Sequence, residues 1–101
     1  MKDINYKVIG NGYPIVLLHG NGENMTIFDK LVEKLQDSYQ LICIDSRYHG
    51  NSVYQGEMSY SQMCKDVVEV VNELNIDEYD VIGFSDGGII SILLSLCAVY
   101  L

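Results

Sequence analysis

Three short runs constrain this chain more than any single motif does: "PIVLLHG" (14–20), "YQLICIDS" (39–46) and "YDVIGFS" (79–85). Each is a nearly continuous series of β-branched and leucine side chains that stops at a glycine or a polar cluster. A strand that alternates polar and apolar residues leaves one face to water. An unbroken apolar run instead suits a strand covered on both faces, as in a parallel sheet. "INYKVIG" (4–10) does alternate, ends in "NGYP", and reads as a half-exposed strand closed by a turn.

Between these runs the spacing becomes helical. Phe28, Leu31, Val32 and Leu35 recur at that interval. Ser59 and Gln62 form an S-x-x-Q capping box that opens a helix with the stripe Met63, Val67, Val70, Val71 and Leu74. A further apolar helix is expected from Asp86 onward. Alternation of strand and helix implies βαβ units, so the expected fold class is α/β: one domain over 1–101, a mainly parallel sheet flanked by helices. Ligands in such sheets gather at the C-terminal ends of the strands. The informative residues stand there: His19 to Gly22, Asp45 to Ser52, and Gly83 to Gly88.

Composition narrows the partners. With 101 residues, 49% of them hydrophobic, the chain can bury one core of modest size. Its net charge of −8, from 14 acidic and 6 basic residues, argues against nucleic acid and against an anionic membrane surface. Cys43, Cys64 and Cys97 are widely spaced with no C-x-x-C pair, which argues against a zinc site or a disulfide framework and suits a reducing cytoplasm. "MKDINYKVIG" has no apolar leader segment, so the "NMT" sequon at Asn24 carries no weight. The apolar stretch 87–101 falls short of the ~18 to 20 residues a bilayer needs. Such a helix, apolar all round, is expected deep inside a protein. No metal or cofactor signature is present.

The chemistry is concentrated in three motifs. "GFSDGG" matches G-x-S-x-G between a strand and a helix, where a sharp turn holds the serine in a strained conformation. Gly83 and Gly87 leave room where a Cβ would collide, and Ser85 is lifted clear as a nucleophile. The backbone N–H of Asp86, at the helix N-terminus, can receive a developing oxyanion. A second donor is needed beside it. The "HGNG" loop supplies one from Asn21, with Gly22 as second choice, because Gly20 and Gly22 leave the backbone accessible. His19 reads as a brace for this loop rather than a general base. In "DSRYHGNS", Asp45 and Arg47 read as residues that tie the loop backbone in place.

In this order and at these places, the motifs resemble the alpha/beta-hydrolase superfamily, of the simple esterase, lactonase and C–C hydrolase type. "HGNG" is similar to its oxyanion loop and "GFSDGG" to its nucleophile elbow. "DSRYHGNS" is similar to its D-x-R-G-x-G-x-S loop, with Tyr48 where glycine is usual. The resemblance covers the whole chain but only the N-terminal part of that family's domain. It implies a partial hydrolase fold lacking the C-terminal strands, with the "HGNG" strand beside the elbow strand and the Asp45 strand one further out. His49 would then lie ~10 Å from Ser85, too far to act as its base.

The same resemblance implies a triad in the order Ser, acid, His, the last two on later loops. The expectation is therefore a hydrolase of esters, lactones or similar small acyl substrates that lacks its acid and base here and is inactive alone. The alternative is a non-catalytic binding or interaction module on a truncated fold. Either way an open sheet edge is expected to favour self-association.

Overall fold

A computed structural model of the protein describes residues 4–52 and 58–100, with side chains through residue 95. The thiol of Cys97 and the first three residues lie outside that description. The elements run β1 (Tyr6–Ile9), β2 (Tyr13–Leu18), a 3-10 turn (Met25–Phe28), α1 (Asp29–Leu35), β3 (Tyr39–Ile44), α2 (Tyr60–Glu73), β4 (Asp80–Gly83) and α3 (Asp86–Tyr100). The sheet is four-stranded in the order β1-β3-β2-β4. β2 pairs in parallel with β3 on one side and β4 on the other, while β1 runs antiparallel to β3. The α/β class and the mainly parallel sheet are as the alternation of runs implies.

The unbroken apolar runs are explained by a core on each face. Successive strand residues point to opposite faces. Ile15, Leu17, Leu41 and Cys43 therefore pack under Met25, Phe28 and Val32 of the 3-10 turn and α1. Val16, Leu18, Ile42 and Ile44 pack against Met63, Val67, Val70 and Val71 of α2 and Ile90 and Leu94 of α3. At ~25 cal/mol per Å² of apolar surface, central strands buried on both faces are the largest stabilising feature of such a domain. Ser59 caps α2 as its sequence implies, accepting the Gln62 N–H at 3.1 Å.

Two expectations are corrected. β4 is not a fully buried strand. Only β2 flanks it among the described residues, so Ile82 stays exposed on the α1 side while Val81 packs into the core of α2 and α3. α3 is not submerged all round either: Ile90 and Leu94 are buried, but Ile89 and Ile92 face outward, Ile92 at 65% exposure. α1 and α2 cannot cover that far side of the sheet because they sit over β2 and β3.

Candidate active site

Ser85 occupies the bend between β4 and α3 with φ at +57°, a left-handed conformation that costs a non-glycine residue ~1–2 kcal/mol. The bend is over-determined by its neighbours, which is how such strain persists. Phe84 N–H donates to Leu18 O at 3.0 Å, prolonging the β2–β4 pairing. Gly87 N–H donates to Phe84 O, and Gly88 N–H to Ser85 O, closing the first turn of α3. A Cβ on Gly83 would run into Gly87 O and the Ser91 hydroxyl, and one on Gly87 into Leu18 O. Ser85 itself is exposed.

The loop after β2 abuts this bend. A Cβ added to Gly20 would lie 3.0 Å from the Ser85 Cβ and 2.8 Å from Glu23 Oε1. The loop's amides can be accounted for one by one. Gly20 N–H donates to Glu23 Oε1 at 2.9 Å, Gly22 N–H to His49 Nε2 at 3.0 Å, and Glu23 N–H to Gly20 O at 3.2 Å. No hydrogen bond to the Asn21 N–H is found among the described residues. The same holds for the Asp86 N–H, at the first position of α3, where helix amides have no intrahelical acceptor. Gly22, the second-choice donor, is already engaged.

The loop after β3 is the scaffold beneath. Asp45 Oδ1 accepts the Met25 N–H at 2.8 Å, and Oδ2 accepts Asn51 N–H and the Asn5 side-chain amide, each at 2.9 Å. Burial by itself would raise the Asp45 pKa, but these three donors outweigh it and hold the carboxyl below its ordinary range. Arg47 reaches out of the loop to α2, pairing with Asp66 through Nε at 2.7 Å and Nη2 at 2.8 Å. That pair ties the loop to the helix. Tyr48 stands at φ +65°, which explains why a glycine suits that position.

Neither histidine bonds to Ser85. His19 Nε2 accepts the Ser46 N–H at 3.0 Å while Nδ1 donates to Gly20 O at 2.7 Å, so it braces the loops. His49 Nδ1 donates to Arg47 O at 2.9 Å. The Asp86 carboxylate accepts from the Tyr60 hydroxyl at 3.1 Å, which raises the Tyr60 pKa, the hydrogen bond first and the charge second. Glu23, Asn5, Tyr60 and Asp66 were not singled out by the sequence. Only Glu23 had a local signal, a carboxylate three residues after an exposed loop amide. No group of three or more His, Cys, Asp or Glu side chains that could hold a metal is found among the described residues. A cleft of about 430 Å³ at the start of β4, lined by Tyr13, Tyr79, Val81 and Leu94 among others, lies at the other end of that strand from Ser85.

Residues 13–96 match the family of the alpha/beta hydrolase fold. Esterase YbfF of Escherichia coli K12 is 35% identical over 77% of this chain and 31% of its own length. An esterase from a marine microorganism superposes with a TM-score of 0.91 at 28% identity, over 96% of this chain and 38% of its own. Est816, described as an N-acyl homoserine lactone degrading enzyme, gives 0.89 at 34% identity over 92% and 36%. The chain thus spans about a third of the length of these relatives.

Proposed function

The chain belongs to the alpha/beta-hydrolase family, and from that premise we propose that it carries the nucleophile of a serine hydrolase acting on an ester, lactone or similar small acyl substrate. The observation that carries this is the exposed Ser85 at positive φ, followed directly by the Asp86 N–H and abutted at Gly20 by the loop that carries the Asn21 N–H, two amides with no partner among the described residues. Ser85 Oγ attacks the acyl carbon, the carbonyl electrons move onto oxygen, and the Asn21 and Asp86 N–H groups receive that charge. The names of the relatives, an esterase and a lactone-degrading enzyme, support the substrate class. Cys43 and Cys64, both buried and in no disulfide among the described residues, suit a reducing cytoplasm as the setting.

The serine proton still needs an acceptor, and both imidazoles are held by backbone groups. On this reading, base and acid come from polypeptide other than these 101 residues, which alone are inactive as an esterase. A hydroxyl without a base is a weak nucleophile at neutral pH. The engagement of both imidazoles also favours a second reading, a non-catalytic binding module.

A fluorophosphonate probe, with and without added imidazole as an external base, separates the two. The hydrolase reading expects one adduct, on Ser85, formed slowly and accelerated by imidazole, and none in Ser85→Ala. Failure of imidazole to promote any Ser85 adduct, with small acyl ligands still bound, would leave the binding module.

A further inference from the structure

His49 and His19 make a reciprocal pair of contacts that the nucleophile chemistry leaves unused. His49 stands on the loop after β3 and accepts the Gly22 N–H of the loop after β2; His19, on the latter loop, accepts the Ser46 N–H of the former. Their rings are 5.2 Å apart between centroids, tilted by 51°. Each Nδ1 faces a backbone carbonyl and must carry the proton, so each Nε2 is left as the acceptor.

We infer that His49 is a positioning residue of the oxyanion loop: its neutral Nε2 captures the Gly22 N–H, fixing the turn so that the Asn21 N–H is the amide left to face the substrate oxygen. The catalytic consequence rests on the hydrolase reading; the brace itself stands on the hydrogen bonds. Gly22 sits at φ +79°, where a Cβ would meet nothing within 4 Å, and the His49 bond adds to the Gly20–Glu23 hydrogen bonds in fixing the turn. Protonation of His49 places a second N–H against the Gly22 N–H and removes the bond. The charged groups around the ring then matter. They are His19 across from it, Asp45 at the base of its own loop, and Glu23 on the Gly20 amide. Arg47 presents its carbonyl to His49 and pairs its guanidinium with Asp66.

The test combines nitrogen NMR on the ¹⁵N-labelled chain with probe kinetics. The brace predicts a neutral His49 protonated on Nδ1, and a Gly22 amide resonance that shifts with the same midpoint as the His49 ring on acidification. In His49→Phe, imidazole-assisted phosphonylation of Ser85 should fall by about tenfold, the effect expected of one lost positioning hydrogen bond. His49→Gln, which keeps an acceptor but does not titrate, should recover most of that rate and lose the acid-side fall. A proton on Nε2, a Gly22 amide indifferent to the ring, or a Gln variant no better than Phe would overturn the inference. If Ser85 is not phosphonylated at all, the hydrolase reading fails, while the NMR result still decides the brace.

Discussion

Tyr48 and Asp45 show how single residues carry this site. Tyr48 holds φ +65° where a left-handed backbone disfavours any side chain. Comparing Tyr48→Gly with Tyr48→Ala removes the ring in both and isolates the backbone; the glycine variant should be more stable by ~1 kcal/mol, read as a higher thermal midpoint. Asp45 has its folded pKa depressed, so its contribution is present above the unfolded value of ~3.9 and is lost as pH falls through the lower folded value. Asp45→Asn should cost ~1–3 kcal/mol by turning an amide against a backbone donor, and should flatten the acid-side loss of stability in pH-dependent melting. Asp45 was legible because a short polar cluster after a buried strand has to satisfy loop backbone; Tyr48 stood out only through the family pattern, where glycine is usual. Asn5 and Tyr60 were not, since Asn5 meets Asp45 across 40 positions and Tyr60 meets Asp86 across 26.

Among the elements, β2 and β3 were readable end to end because their neighbours supply both faces with cover. β4 has the same kind of sequence but sits at an edge, and no local pattern reports a missing neighbour. α2 shows a similar limit. Its stripe was clear, but the buried Asp66 within it makes sense only with Arg47 placed against it. Arg47→Met alone leaves that carboxylate buried and unpaired and should destabilise by ~3–5 kcal/mol. Replacing both, Arg47→Met with Asp66→Leu, should recover most of the loss in denaturant melts. A double variant as unstable as the single one would mean that the pair is not the source of the cost.

For the whole molecule, the strand order β1-β3-β2-β4 sets the loops after β2, β3 and β4 side by side, which local spacing could not show and the family resemblance did. It also leaves the outer edge of β4 without a strand among the described residues, beside exposed Ile82, Phe84, Ile89 and Ile92. Open edges and contiguous apolar surface favour association. The chain should elute from gel filtration as a dimer or larger and bind an apolar-surface dye; a dye-silent monomer would contradict this.

The site's central claim is a hydroxyl held at a strained bend between two amides. A crystal structure of the Ser85 phosphonyl adduct tests it most directly. Its P=O oxygen is predicted to lie ~2.7–3.1 Å from both the Asn21 and Asp86 nitrogens, the reach of an oxyanion donor. An oxygen turned to solvent, or bonded to neither amide, would contradict the account.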